Sequence, residues 1–310
     1  MHVLVVGTVA LDSIETPFGA VDRALGGSAT YIAMAARYVS RPVGVVAVVG
    51  GDFPAAYLET LRACDLDLEG VTVEPAGKTF AWGGRYHYDL NDRETCFTHL
   101  NVLERFEPVV PVAFREGGVV CLGNLDPGIQ AQVLEQVRSP ALVLCDTMNF
   151  WIEHTPEALR ALLRRIDVLI VNDAEARELA GEPNLVKAAR VIRDMGPRIL
   201  VIKKGEHGAL LFYDEVVFSA PAYPLEDIQD PTGAGDAFMG GFAGYVARCG
   251  RVDEDTLRRA VVFGSAMASF TVERFGPAGL LGLSGEAIAR RLEAFRTLAH
   301  IPFDPAQVVP

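Results

Sequence analysis

Short, almost wholly apolar runs recur along the chain, separated by segments with helical periodicity. The runs are "VLVV" (3–6), "VGVVAVV" (43–49), "GVVCL" (118–122), "ALVLC" (141–145), "VLIV" (168–171) and "ILVIK" (199–203). Continuous apolar runs bounded by Gly, Asp or Asn suit strands that are covered on both faces. Helical patterns fall between them at 28–38, 55–64, 156–165, 174–180 and 185–195. This alternation predicts βαβ units, and so an α/β fold with a central, mostly parallel sheet flanked by helices. The last third changes character. "GALLFYDEVVFSA" predicts a hairpin, followed by helices at about 233–248, 254–272 and 285–298.

One region breaks the rhythm. In "KTFAWGGRYHYDLNDRETCFTHLNVLERF" (78–106), Phe80, Trp82, Tyr86 and Tyr88 recur at period two, and "NDRE" then turns the chain into "TCFTHL". The pattern predicts an antiparallel hairpin with an aromatic face. No helix follows to cover that face, so a ligand, the rest of the chain or a second copy must do so. The expected organisation is one domain over 1–310, with a small β lid formed by inserted segments at about 13–26 and 78–106.

Composition narrows the partners. A chain of 310 residues, 50% hydrophobic and 22% charged, can bury a large core and is not a disordered one. Net charge is −12 and the arginines are scattered, with clusters such as "RALLRR" (160–165) reading as solvated helix faces. That pattern leaves no nucleic-acid footprint. An anionic ligand would need backbone N–H groups, a metal or a few placed cations, because the overall field repels it. Five cysteines without a CxxC pair read as free thiols, with Cys121 and Cys145 buried in apolar runs. The chain opens on a strand-like "HVLVVG" with no leader pattern, and its apolar runs are too short to span a bilayer. A soluble, cytoplasmic protein is expected, acting on a small molecule and engaging neither nucleic acid nor membrane.

Five segments carry candidate chemistry. In "DPTGAGDAFMGGF" (230–242) two glycines open a long helix, exposing N–H groups at its positive end and letting a phosphate approach. A carboxylate at Asp236 would repel such an anion, yet suits a site that must also take a proton from a hydroxyl. The competing reading has Asp230, Thr232 and Asp236 simply capping and charging the first turn. "VNDAEARELAG" has the Asn172–Glu175 spacing of a capping box, or alternatively puts a metal-binding carboxylate at a strand's C-terminal end. "KKGEHGALL" places Gly205 and Gly208 at a turn that is either merely tight or borders a nucleotide. Near the start, Asp12 in "VVGTVALDS" is a loop residue or a hydrogen-bond acceptor for a polyol, and Gly26–Gly27 in "LGGSATYIAMAARY" is a hinge or a cap. A GxxxxGK[ST] P-loop and a complete GxGxxG are both absent.

Taken in series, these segments resemble the ribokinase-like (PfkB) carbohydrate kinases over nearly the whole chain. "DPTGAGDAFMGGF" resembles the family's C-terminal signature and "GGSATYIAMAARY" its N-terminal one. "VGGDFPAAYLETL" and "FGSAMASFTVERFGPAGL" resemble its segment after the second long strand and its adenine-side helix and loop. The resemblance implies transfer of the γ-phosphate of ATP to a hydroxyl of a sugar or nucleoside, with Mg²⁺. It implies Asp236 as the base and the N–H groups of Gly233, Ala234, Gly235 and Asp236 as an anion hole. Asn172 and Glu175 would organise Mg²⁺ (Glu175 through water) and phosphate, while Thr232, Lys204, Gly205 and Gly208 would border the nucleotide. Asp12, Gly26, Gly27 and Asn124 would meet the acceptor, and Asp230 marks the place where some relatives bind K⁺. Many relatives carry an Asn where this chain has Tyr31, which could stack on a base or fill the space of a larger sugar. Arg85 and Arg93 in the lid are candidates to clamp the γ-phosphate, and lids of this kind pair between subunits in some relatives, so a homodimer is a further expectation. The alternatives are a non-catalytic nucleotide or sugar sensor that keeps the fold, and a Rossmann oxidoreductase, which the first turn "GTVALDS" disfavours for lack of a glycine fingerprint.

Overall fold

A computed structural model describes residues 1–300. The elements run β1 (Val3–Val6), β2 (Ala10–Thr16), β3 (Gly19–Gly26), α1 (Ser28–Ala36), β4 (Val43–Gly50), α2 (Ala55–Ala63), β5 (Asp67–Glu74), β6 (Ala81–Tyr86) and β7 (Arg93–His99). There follow β8 (Val119–Leu122), α3 (Pro127–Leu134), β9 (Leu142–Cys145), α4 (Asn149–His154), α5 (Pro156–Leu163), β10 (Val168–Asn172), α6 (Asp173–Ala180), α7 (Leu185–Asp194) and β11 (Ile199–Lys203). The chain closes with β12 (Ala209–Tyr213), β13 (Val216–Ala220), α8 (Ala234–Cys249), α9 (Glu254–Thr271) and α10 (Gly285–Leu298).

All six apolar runs are strands of one large sheet, in the order β13-β12-β11-β10-β9-β8-β1-β4-β5. Pairing is parallel from β11 to β5, and β12 and β13 add an antiparallel edge. Double coverage explains the unbroken apolar runs. Val3 and Val5 enter a core shared with α1, α8 and α9, whereas Leu4 and Val6 enter a second core shared with α3, α5 and α7. Side chains alternate across a strand, so a strand with a helix layer on each side has no position free to be polar. Cys121 and Cys145 are free and buried in these strands, and burial pushes both thiols up.

The sequence pattern omits β5, α3 and α4. Strand β5 is an edge with half its positions exposed and half polar, so neither periodicity shows. Helix α3 did carry a signal: Asp126 accepts the Gly128 N–H as N-cap and Pro127 follows at the first position.

The small sheet has the order β3-β2-β6-β7. Two expectations about it are corrected. Asp12 does not lie in a loop past β1 but inside β2, level with Trp82 of β6. The aromatic face is also shorter than four residues. Strand β6 covers 81–86 only, so Trp82 and Tyr86 share its face, Phe80 packs into the second core, and Tyr88 lies past the strand end, 88% exposed.

The small sheet contacts the rest of the chain at several points, two of which lie over the β11 end and the start of α8. The Thr232 hydroxyl, just before α8, lies 3.2 Å from the Tyr86 hydroxyl. At the tip of the β6–β7 turn, the Asn91 side chain meets Gly205 so closely that a Cβ there would collide with its Oδ1. The sheet therefore covers the C-terminal ends of the strands, the region where open α/β sheets bind ligands.

Candidate active site

The covered crevice has the α8 N-terminus as one wall. Gly233 caps that helix at φ 77°, a left-handed value, so it needs glycine. Its Cα face rests on the ring of Tyr31, and a Cβ there would lie 2.5 Å from the ring carbons. Tyr31 is 1% exposed, so its ring is a floor for the glycine loop with no open face to stack on a base. Its hydroxyl is buried without a hydrogen-bond partner. Burial first, then the fields of Asp12, Asp230 and Asp236, push that phenol well above its usual range.

Asp236 sits in the first turn of α8, half-buried. Burial, reinforced by the Asp146 charge, pushes its carboxyl up to about 7, with Lys203 pulling the other way. Across the crevice Asp12 is 5% exposed and accepts the Gly27 N–H at 3.2 Å. Gly26 backs directly onto the same carboxylate, leaving no room for a side chain. Burial pushes Asp12 up to about 7 against that hydrogen bond, with Asp230 adding to the rise.

Both readings of the Asn172 segment meet in one place. Asn172 Oδ1 accepts the Glu175 N–H, and Glu175 Oε2 accepts the Asn172 N–H, each at 2.8 Å, so the capping box is complete. It uses one carboxylate oxygen of Glu175, and the charges of Asp146 and Lys203 both act on the group. Burial and then Asp146 raise Glu175, while burial raises Asp146 and Lys203 opposes it. Asp146 and Lys203 were missed by the sequence reading. "CDTMN" carries no spacing signal, and in "KKGEHG" the nucleotide-side role went to Lys204. The structure instead extends Lys203 to the α8 N-terminus, while Lys204 lies in the turn, its N–H donating to the Gly208 carbonyl at 2.7 Å.

Of the two arginines of the β6–β7 hairpin, only Arg93 acts on the buried carboxylates. Arg85 is held outside by Glu15 at 3.0 Å. Arg93 lies with its guanidinium 5.9 Å from the Trp82 ring centre, and its charge lowers Asp146, Glu175 and Asp236. Asn124 follows β8, its amide already engaged: Oδ1 accepts Trp151 Nε1–H at 2.9 Å and Nδ2 lies 3.0 Å from the Met148 sulfur. Asp230 is fully buried, its two oxygens accepting the Thr232 N–H at 2.8 Å and the Gly276 N–H at 3.0 Å.

The arrangement thus gathers carboxylates (Asp12, Asp146, Glu175, Asp230, Asp236) around few cations, next to a wall of N–H groups. The net negative charge of this cluster disfavours a bare phosphate. No group of three or more His, Cys, Asp or Glu among the described residues is placed to hold a metal by itself. No described helix is long and apolar enough to cross a membrane.

The profile of the pfkB family carbohydrate kinases matches residues 3–281. A cytidine kinase of Thermococcus kodakarensis is 30% identical over 251 residues, 79% of this chain and 88% of the relative. A nucleoside kinase of Methanothermobacter thermautotrophicus is 27% identical over 86% of this chain and 84% of the relative. Among solved structures, the nucleoside kinase of Burkholderia thailandensis in complex with ADP-inosine superposes with a TM-score of 0.78, covering 94% of this chain and 95% of the other at 21% identity. The chain belongs to the pfkB family of carbohydrate kinases, with a ribokinase-like fold and the activity of a nucleoside or carbohydrate kinase.

Proposed function

We propose that this kinase transfers the γ-phosphoryl group of ATP to a hydroxyl of a nucleoside. The observation that carries the reading is the meeting of Asp236, Asp12 and the α8 N-terminus in one covered crevice. Asp12 holds the acceptor hydroxyls, beside the backbone of Gly26 and Gly27. The carboxylate of Asp236 takes the proton as the acceptor oxygen bonds to phosphorus and the bond to the ADP oxygen breaks. The N–H groups of Gly233, Ala234, Gly235 and Asp236 hold the phosphoryl oxygens while charge builds on them. Thr232, Lys204, Gly205 and Gly208 line the nucleotide side, and the small sheet acts as a lid that keeps water away. The names of the relatives favour a nucleoside over a simple sugar as acceptor.

Mg²⁺ fits the donor set. Asp146 and the free oxygen of Glu175 are hard ligands without a salt-bridge partner among the described residues. Too few for a protein cage, they suit an ion that keeps its waters and phosphate oxygens. When bound, Mg²⁺ neutralises phosphate charge. Asp230, a buried carboxylate without a salt-bridge partner among the described residues, is where K⁺ would sit.

The test is ATP consumption over a panel of nucleosides and sugars. Turnover confined to simple sugars would overturn the nucleoside reading, and no turnover on any acceptor would overturn the kinase reading.

Rate and stability are expected to move oppositely with pH. A base raised to about 7 is mostly protonated below that value, so log kcat/KM should climb with pH and level off above about 7. Asp12, raised from 3.8 to about 7, keeps in the folded state a proton that the unfolded chain has lost. Its contribution to stability therefore falls as pH rises across that window. Initial rates and melting temperatures measured from pH 5.5 to 8.5 check both signs, and a rate independent of pH would count against Asp236 as base.

A further inference from the structure

We propose that Lys203 is a catalytic residue of the phosphoryl transfer, its ammonium contacting the transferred group beside the α8 N-terminus. The proposal rests on the kinase reading of the site. Lys203 is the last residue of β11, level with Asn172 of β10. Its side chain runs past the strand end to the first turn of α8, where Nζ lies 2.7 Å from the position a Cβ on Gly235 would take.

Folding alone does not account for a cation there. The N-terminal end of a helix repels positive charge. The ammonium is also unpaired: among the described residues Lys203 Nζ makes no salt bridge and no hydrogen bond. Asp146, Glu175 and Asp236 lie around it, and their fields keep it charged despite its burial. All three ammonium protons are thus open beside the N–H groups that would hold phosphate.

An anionic occupant meets that need. Negative charge on the transferred phosphoryl oxygens is neutralised at this point by the ammonium and the helix end together. The acceptor oxygen bonds to phosphorus, the bond to the ADP oxygen breaks, and the acceptor's proton passes to Asp236. Lys203 keeps its own proton throughout. Gly235 follows from the same geometry, because a side chain there would take the space of Nζ.

Lys203→Met removes the charge and keeps the apolar stem, and Lys203→Gln serves should the first variant fail to fold. Calorimetry with Mg²⁺ would compare the affinity of each for ADP and for the β,γ-imido analogue of ATP. Relative to wild type, the analogue should weaken roughly ten-fold or more beyond any change for ADP. Against an acceptor that the wild type uses, kcat should fall roughly 100- to 1,000-fold. Equal weakening of both nucleotides would make Lys203 a counter-charge for the carboxylates and overturn the proposal. A wild type that turns over no acceptor would sink the kinase reading instead, with the analogue-to-ADP comparison still deciding Lys203.

Discussion

Asp236→Asn is expected to lower kcat by roughly 1,000-fold or more while leaving nucleotide binding within a few-fold of wild type. Asparagine keeps the size and the hydrogen-bonding reach of the side chain but cannot accept a proton. The loss should therefore fall on the chemical step alone. Stability should hold or rise, because the native carboxyl is held up to about 7 by burial and by Asp146. Removing a charge that its surroundings disfavour relieves that repulsion. The measurements are steady-state rates on an acceptor used by the wild type, binding of an ATP analogue and the melting temperature. Retention of more than a tenth of the wild-type kcat would rule out Asp236 as the base. A loss of rate together with loss of binding and a lower melting temperature would point to a structural role.

The second large effect is expected at Gly233. An alanine there meets two separate obstacles. The residue stands at φ 77°, where a Cβ costs about 1–3 kcal/mol. The added Cβ would also lie 2.5 Å from the ring of Tyr31, which is packed in the core and has nowhere to go. The loop can accommodate it only by turning its N–H groups away from the crevice. Gly233→Ala should thus lower kcat roughly 100- to 1,000-fold and also reduce the melting temperature. In the Tyr31→Ala background the added Cβ no longer collides, so the two substitutions should cost less together than the sum of their separate losses. Strict additivity in melting temperature and kcat would show that the ring contact does not carry the effect.

Much of the architecture was legible because its causes are local. A strand covered on both faces must be apolar throughout, and the six runs that satisfy this are all strands of the large sheet. The glycines and acids of 230–242 mark a helix start whether or not a phosphate ever binds. The Asn172–Glu175 spacing likewise produced a complete capping box. Edge strand β5 was not legible, because a strand half open to solvent has little reason to be apolar.

The composition of the site is another matter. Lys203 and Lys204 are adjacent and chemically identical, yet only one extends to Gly235. Arg85 and Arg93 belong to the same hairpin, yet one pairs with Glu15 on the outside while the other projects its charge onto the buried carboxylates. Tyr31 read as a possible face for a base, and packing turned it into the floor of the glycine loop. Asp146 stands at the end of β9 with nothing in its neighbours to single it out. By itself the sequence determined the fold class, the order of the segments and the helix start with its acid. Tertiary structure alone decided which of two equivalent cations enters the crevice and which carboxylates face each other. Those outcomes depend on strand register and on the docking of α8 against residues far away in the chain, and local spacing carries no record of either.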